Sequence, residues 1–262
     1  MNNDNVRKIT IPANTKSLLH KVLTAVNDNE EIATLWQVIN VNAIDRLGMS
    51  DHGSVHFQIV SNIALKLHRM LLKKGIVPSI VKDFGLTNDH AEVVILLARL
   101  LHDTGMSINR DGHEEFSLIL TNSLLRETLS FIPVRERTIV ISETLHAIYN
   151  HRSGGKPITI EGGIVRVADA LDMTQGRTRV PFEAGIVDIY SLSAFAVDKV
   201  EILEGTQKPI EIMITMNNSA GLFQVDELLK SKLRDSGIED YISVKAVIEE
   251  QTEKKLISTF EI

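Results

Sequence analysis

The stretch VVILLARLLHDTG, residues 93–105, decides the fold of this chain. Its first nine residues are apolar except for Arg99, and their pattern predicts a helix. This run is far too short to span a bilayer, so it predicts a helix with a buried surface. The pair His102-Asp103 follows at the last turn of this helix, and Gly105 is predicted to end it.

Helical periodicity extends in both directions from this stretch. Apolar residues recur at three- and four-residue spacing in seven segments that are separated by Pro, Gly, Asn and Asp: 15–27, 29–46, 51–74, 88–103, 112–130, 133–152 and 161–173. We therefore expect an all-α domain over residues 1–185.

The pattern changes after Gly176. Four runs alternate apolar and polar residues or are rich in β-branched residues, and they predict strands: 185–191, 209–216, 241–248 and 255–262. Residues 221–234 predict a helix between them. Residues 186–262 are therefore expected to form a small accessory α+β domain with a βαββ-like order. The predicted fold class is mainly α, a helical bundle followed by this domain.

Composition excludes several classes of protein. The 262 residues are 44% apolar and include no Cys. This excludes a disordered polymer, a disulfide framework, a thiolate nucleophile and any Cys-ligated metal. The amino terminus has no apolar segment typical of a signal peptide, so we expect a cytoplasmic protein with no membrane partner.

Charge is distributed unevenly along the chain. Residues 186–262 contain 14 acidic and 8 basic side chains, a difference of −6 that equals the net charge of the whole chain. The accessory domain is therefore a poor candidate for binding a polyanion. Aromatic residues make up 5% of the chain and are not interleaved with basic runs, so binding of nucleic acid is not favoured.

Two acidic residues are predicted to be buried. Asp103 follows the apolar helix, and Asp169 lies four residues after Val165 on the same helix face. A buried carboxylate without a partner costs roughly several kcal/mol, so each needs a cation or several donors. Arg166 is one candidate partner of Asp169. His56 lies beside the buried stripe of its own helix, and such imidazoles and carboxylates suit Mn, Fe or Zn, with Mg as an alternative.

The order of these residues resembles a known family. His56, His102-Asp103 and Asp169 match the H…HD…D signature of the HD-domain metal-dependent phosphohydrolases. The resemblance covers about residues 50–185 and implies an all-α fold that holds one or more divalent metals. The chain also resembles uncharacterised archaeal HD hydrolases and, more distantly, the catalytic domain of ribonuclease Y.

The flanking sequence extends the resemblance. HDTG at 102–105 is similar to the family's HDIG, and ADALD at 168–172 is similar to its ADAL segment. His113 and His151 match two further His of an extended subgroup. The resemblance thus implies six metal ligands, namely His56, His102, Asp103, His113, His151 and Asp169.

These ligands divide into two overlapping halves of a mononuclear or binuclear centre. One ion would be held by His56, His102, Asp103 and Asp169, and Asp103 would bridge to a second ion held with His113 and His151. Two ions about 3.5–4 Å apart can share a hydroxide and stabilise in-line displacement at phosphorus. We therefore expect a metal-bound hydroxide to be the nucleophile, with Asp103 and His102 as the central catalytic residues.

Other residues are expected to support this site. Three basic residues on the neighbouring loops are candidates for binding phosphate: Arg110, Arg152 and Lys156. Asp172 is expected to accept a hydrogen bond from a ligating His, and His146 to line the cavity. His52 shares a helix face with His56 and is expected at the surface.

The predicted function is metal-dependent hydrolysis of a phosphomonoester or phosphodiester, with a nucleotide as the phosphorylated partner. One alternative is a ribonuclease or cyclic-nucleotide phosphodiesterase. A second alternative is a non-catalytic nucleotide-sensing module. The accessory domain favours a homo-oligomer.

Overall fold

The computed structural model describes residues 8–152, 154–174 and 189–248. Its first part is helical: α1 (Leu18–Asn27), α2 (Glu30–Asn40), α3 (Ser54–Lys73), α4 (Ser79–Phe84), α5 (Asn88–Leu101), α6 (His113–Thr128), α7 (Val134–Tyr149) and α8 (Ile160–Ala170). A π-helical turn continues α2, and a 3-10 turn follows α5. The seven predicted helical segments are confirmed. The short helix α4 was not predicted, because six residues carry too little periodicity.

Helix α5 is the centre of the bundle. Every side chain from Val93 to Leu101 is buried, and α1, α3, α7 and α8 pack around it. The Trp36 indole N–H donates to the Leu100 carbonyl at 3.0 Å, which fixes the end of the helix in the interior. The two residues that follow, His102 and Asp103, are therefore buried as well. Among the described residues, no helix is long and apolar enough to cross a membrane.

Gly105 has a different role from the predicted helix end. Helix α5 ends at Leu101, and Gly105 lacks the positive φ of a C-cap glycine. Instead it lets the turn after α5 approach α6, because a Cβ at this position would lie 2.0 Å from the His113 carbonyl oxygen. The Ser117 hydroxyl completes this contact, since it accepts from the Gly105 N–H at 2.8 Å and donates to the His102 carbonyl at 2.7 Å.

The second part of the chain contains a three-stranded sheet. Its elements are α9 (Ile189–Phe195), β1 (Val197–Glu204), β2 (Ile210–Met216), a π-helical turn (Gln224–Leu229), α10 (Lys230–Leu233) and β3 (Ile242–Ile248). Strand β2 is central, antiparallel to β1 and parallel to β3, and the helical segment with α10 forms the crossover between β2 and β3.

Part of the prediction for this region is wrong. The strands at 209–216 and 241–248 and the helix at 221–234 are confirmed. The described elements follow the order ββαβ, and whether a further strand completes the predicted βαββ-like order depends on residues outside the described ones. Residues 189–191 begin α9 instead of ending a strand. Within α9 the hydroxyl of buried Ser193 donates to the Ile189 carbonyl one turn back and accepts from the Gln224 side chain, which joins α9 to the π-helical turn. The predicted boundary at 185/186 and the predicted strand at 255–262 lie outside the described residues.

Buried His68 on α3 is expected to make the unfolding free energy of the protein depend on pH in the acid range. Its ring is buried, and its Nε2 has no hydrogen-bond partner among the described residues. Burial lowers the pKa of His68 from 6.5 to about 4, so between these values the unfolded chain binds more protons. Stability should therefore fall as the pH falls from 6.5 to 4. We expect His68→Leu to remove about 3 kcal/mol of the loss in unfolding free energy between pH 7.5 and 4. Urea unfolding of wild type and His68→Leu across this pH range measures the effect. An equal loss of unfolding free energy in the two proteins would contradict the prediction.

Candidate metal centre

Four imidazoles converge in the interior of the bundle. His56 lies in the first turn of α3, His102 directly after α5, His113 at the start of α6 and His151 just after α7. Each Nδ1 lies within hydrogen-bond distance of an acceptor: Asp172 Oδ2 at 2.6 Å from His56, Arg99 O at 2.9 Å from His102, Arg110 O at 3.0 Å from His113 and Ile148 O at 2.6 Å from His151. An Nδ1–H donor in each ring leaves Nε2 as an acceptor. At His102 this nitrogen lies 2.7 Å from Arg99 Nη2, a contact that a bound ion would have to replace.

Local structure sets these ring orientations. In three of the four cases the acceptor is the backbone carbonyl three residues earlier, which a turn at the end or the start of a helix brings next to the ring. His56 differs, because the Gly53 carbonyl three residues earlier accepts from the Phe57 N–H and the ring is anchored instead by Asp172 in the segment after α8. Gly112, with a φ of 71°, starts α6 and directs His113 inward. The Asp51 side chain accepts from the His56 N–H at 3.2 Å and so fixes the start of α3.

Asp103 lies between three of these rings. Its Oδ2 is 3.2 Å from His102 Nε2, and its Oδ1 is 3.2 Å from His113 Nε2 and 3.8 Å from His151 Nε2. The two oxygens thus face different imidazoles. This is the geometry expected of a carboxylate that connects two halves of a metal centre.

Asp169 forms the other end of the cluster. Its Oδ1 lies 3.4 Å from both His56 Nε2 and His102 Nε2. His56 Nε2 is buried and has no hydrogen-bond partner in the described part of the chain. A buried polar atom without a hydrogen-bond partner is a candidate for binding an ion. Imidazole nitrogen and carboxylate oxygen suit divalent cations such as Mn, Fe or Zn as ligands.

The structure brings all six predicted ligands together. Three groups have ligand atoms within 4.8 Å of one another: His56, His102 and Asp169; His102, Asp103 and His151; and His113, Glu114 and His151. The residues present therefore fit one or two divalent ions. Their assignment as ligands stays a prediction that metal analysis must test.

The electrostatic environment favours the ligating protonation states of Asp103 and His151. At His113 burial is outweighed by Asp103 and Glu114, which raise the pKa of this imidazole and favour its protonated form. Burial opposes ionisation of Asp103, but His102 and His113 attract its charge and hold the pKa of this carboxyl well below its usual range. Burial and repulsion from His102 hold the pKa of His151 well below the ordinary value. A charged carboxylate and a neutral imidazole are the forms that bind a metal ion.

The predicted partner of Asp169 is wrong. Arg166 donates to backbone carbonyls of the C-terminal region, because its guanidinium reaches carbonyls at the end of α10 that lack partners within the helix. Asp169 is paired instead with Arg99, whose Nη2 lies 2.8 Å from Oδ1, and with Lys232 at Oδ2. Although burial opposes it, these two cations hold the pKa of Asp169 well below its usual range.

The candidate phosphate-binding residues differ in position. Arg110 is exposed, and its Nη1 lies 3.0 Å from His113 Nδ1. Arg152 is exposed and forms an ion pair with Glu114, with Nε 3.3 Å from Oε1. Lys156 is also exposed, and its Nζ lies 3.9 Å from Asp235 in the C-terminal region. Arg110 and Arg152 thus lie beside the centre, whereas Lys156 faces a different acidic group.

His146 contacts the loop after His151 rather than an imidazole of the candidate metal centre. Its Nε2 accepts from the Ile158 N–H at 3.1 Å, and its Nδ1 lies 3.3 Å from the Asn150 amide nitrogen. Burial lowers the pKa of His146, which suits this acceptor role. The residue holds the loop that follows His151.

Four further residues near the centre were not predicted as site residues. Glu114 is buried, and its adjacency to His113 was a signal in the sequence. His52 is buried instead of exposed, and its ring centroid lies 5.8 Å from that of His56. Arg99 interrupts the apolar run and could have been identified as a buried cation. Lys232 had no signal, because its position depends on how the C-terminal region packs.

Asp172 offers a test of how the centre is supported. Its carboxylate anchors His56 from the side opposite the cluster. We expect Asp172→Ala to weaken Mn²⁺ binding by about 10–100-fold, because His56 loses both its orientation and an acceptor that increases its basicity. Isothermal titration calorimetry measures the effect, with the exposed Asp111→Ala as control. Equal affinities in wild type and Asp172→Ala would contradict this role.

Comparison with known proteins agrees with the geometry. A family model described as HD domain matches residues 53–174, which run from the start of α3 to just after α8 and include all six predicted ligands. An uncharacterised protein of Methanocaldococcus jannaschii, MJ1020, is 42% identical over 224 residues, which are 85% of this chain and 86% of that protein. No solved structure matches the chain. The match to the family model and the extent of the likeness to MJ1020 together show that the chain belongs to the HD-domain family.

Proposed function

We propose that this chain is a metal-dependent phosphohydrolase that cleaves a phosphomonoester or phosphodiester of a nucleotide. One observation carries the proposal: four imidazoles, each with Nδ1 at an acceptor, direct Nε2 toward the buried Asp103 and the largely buried Asp169. The Nδ1 contacts of the four rings are all compatible with the tautomer whose Nε2 lone pair faces the carboxylates. Membership of the HD-domain family supports the same reaction class.

The proposed ligands divide between two positions. His56, His102 and Asp169 would hold one ion, and His113 and His151 a second, with Asp103 shared between them. Glu114 is an additional candidate ligand beside His113. Bound divalent ions lower the pKa of water and stabilise negative charge on phosphoryl oxygens.

The side chains of the chain have distinct tasks in this proposal. Asp103 connects the two positions, because its two oxygens contact different rings. Arg110 and Arg152 orient the phosphoryl group, since both are exposed guanidiniums beside the ligands and can contact two oxygens at once. Buried residues of α5 keep bulk water away from the inner face of the centre.

The test is metal analysis followed by a substrate screen. Protein purified without chelator should contain bound Mn, Fe or Zn, and chelation followed by return of each ion or of Mg should identify the active one. The screen should include nucleoside phosphates, cyclic nucleotides, a short RNA and nitrophenyl mono- and diesters. Metal-dependent hydrolysis of any ester supports the proposal. Failure of every ester with every ion would refute it, and tight nucleotide binding without turnover would favour the sensing module.

The predicted homo-oligomer, the cytoplasmic location and the division into domains at 185/186 stay predictions. Light scattering at micromolar concentration tests the first of them. A monomer at that concentration would contradict it.

A further inference from the structure

A buried arginine contacts the candidate metal centre from helix α5. Arg99 is fully buried, although arginine side chains are almost never fully buried unless they are paired. Its Nη1 donates to the Val165 carbonyl at 2.7 Å, and its Nη2 donates to Asp169 Oδ1 at 2.8 Å. Both acceptors belong to α8. The guanidinium therefore joins α5 to the part of α8 that carries a proposed metal ligand.

The same guanidinium contacts a second proposed ligand, His102. Arg99 Nη2 lies 2.7 Å from Nε2 of this ring and 3.1 Å from its Nδ1. The Arg99 backbone carbonyl lies 2.9 Å from the same Nδ1. The backbone and the side chain of one residue thus both fix the ring, and a single guanidinium nitrogen contacts both His102 and Asp169.

These contacts use the atoms that an ion would need. Asp169 Oδ1 lies 3.4 Å from both His102 Nε2 and His56 Nε2, and these three residues form one of the groups that could hold a metal ion. When Nδ1–H of His102 is directed to the Arg99 carbonyl, Nε2 has a single lone pair. This lone pair accepts a hydrogen bond from Arg99 or ligates an ion, but it cannot do both.

Arg99 differs from the other cation at Asp169 in the oxygen that it contacts. Lys232 pairs with Oδ2, whereas Arg99 pairs with Oδ1, the oxygen that faces the two imidazoles. A buried carboxylate that loses its partner is costly, so removal of Arg99 should destabilise the protein when no ion is bound. A bound ion compensates this loss, because it supplies a cation to both Asp169 and His102.

We propose that Arg99 and a divalent ion compete for Asp169 and His102, and that Arg99 sets how tightly this position binds the ion. Without an ion, the guanidinium keeps the two ligands together across α5 and α8. Binding of the ion then replaces the Arg99 contact with His102, which lowers the net affinity. Arg99 is thus a positioning residue that acts through its two partners. This inference rests on the metal centre of the proposed function, and it does not depend on the substrate.

The experiment combines calorimetric titration of Mn²⁺ with urea unfolding of the full chain, both chelated and saturated with Mn²⁺. We expect Arg99→Met to tighten Mn²⁺ binding by about 10-fold or more, because the ion no longer replaces a hydrogen bond from a charged donor. The urea midpoint of the chelated variant should fall below that of chelated wild type. Saturation with Mn²⁺ should raise the midpoint of the variant by more than that of wild type, since tighter binding adds more stability.

Two further variants make the test specific. Arg69→Met is the matched control, because Arg69 on α3 also joins two helices through a carboxylate, with its Nε 2.6 Å from Oε1 of Glu92 on α5. It should leave the Mn²⁺ affinity unchanged. Arg99→Lys keeps a cation on α5 but lacks the fork that contacts several acceptors together. Its Mn²⁺ affinity should lie between those of wild type and Arg99→Met, and it decides the question if Arg99→Met does not fold.

The outcomes separate this inference from the proposed function. Circular dichroism identifies the folded variants, and Mn²⁺ affinity in the deciding variant that equals or falls below that of wild type would overturn the inference. A lower urea midpoint without tighter Mn²⁺ binding is therefore a purely structural role of Arg99. No Mn²⁺ binding by wild type or by either variant would overturn the inference as well. Tighter binding in Arg99→Met, with no ester hydrolysed by wild type with any ion, would retain the inference and refute the proposed function.

Discussion

Asp103→Asn is expected to lower turnover of the best phosphate ester by about 10³-fold or more and to reduce the bound metal. The carboxylate contacts His102 through Oδ2 and His113 and His151 through Oδ1. Asparagine has nearly the same shape but lacks the negative charge, and its amide N–H groups cannot ligate an ion. The loss should therefore exceed the 10–100-fold effect expected for a residue that only supports a ligand.

The measurements are metal content by mass spectrometry and steady-state kinetics on the same preparations. Asp111→Asn is the matched control, because Asp111 is an exposed carboxylate on the loop just before α6. Circular dichroism verifies that Asp103→Asn keeps its helices. If Asp103→Asn retained both its metal and its turnover, the assignment of the centre would fail.

Gly105→Ala is expected to destabilise the protein by about 3 kcal/mol or more, at the upper end of the range for overpacking. The added methyl group would lie 2.0 Å from the His113 carbonyl oxygen and 2.6 Å from the Ser117 backbone nitrogen. No side-chain rotation relieves a clash with backbone atoms. The first turn of α6 must move, and His113 moves with it.

Urea unfolding and Mn²⁺ titration should therefore change together in Gly105→Ala. Gly154→Ala is the matched control, because a Cβ on Gly154 has no neighbouring atom within 4 Å among the described residues and the φ there is not positive. It should leave stability within about 0.5 kcal/mol of wild type. Wild-type stability in Gly105→Ala would show that the turn and α6 do not pack as closely as described.

The helices of the first part were predictable because each has a buried face of its own. Apolar residues at helical spacing are sufficient to identify α5, and its burial implies that Asp103 is withdrawn from water. The Nδ1 contacts of His102, His113 and His151 are also local, since each acceptor is only three residues away. Asp172 was expected to accept from a ligating His, but its actual partner, His56, lies 116 positions away and could not be identified from the sequence.

The errors concern contacts between segments distant in sequence. Arg166 was the nearest cation to Asp169 along the chain, yet Arg99 and Lys232 bind this carboxylate. Gly105 was predicted to end α5, but a glycine is required there because the backbone of α6 lies too close to leave room for a Cβ. His52 lies before α3 instead of on it, and it is buried where its backbone N–H donates to the Asn40 side chain at the end of α2.

By itself, the sequence determined a helical bundle around α5, a Cys-free donor set and the order of six His and Asp residues, because these follow from periodicity and residue type. Only the tertiary structure decided which charges meet. The packing of α10 on α8 places Lys232 at Asp169, and the ends of α5, α6 and α7 bring three imidazoles around Asp103. Side-chain charges interact across a few ångströms of space rather than along the chain, so their partners depend on how the helices pack.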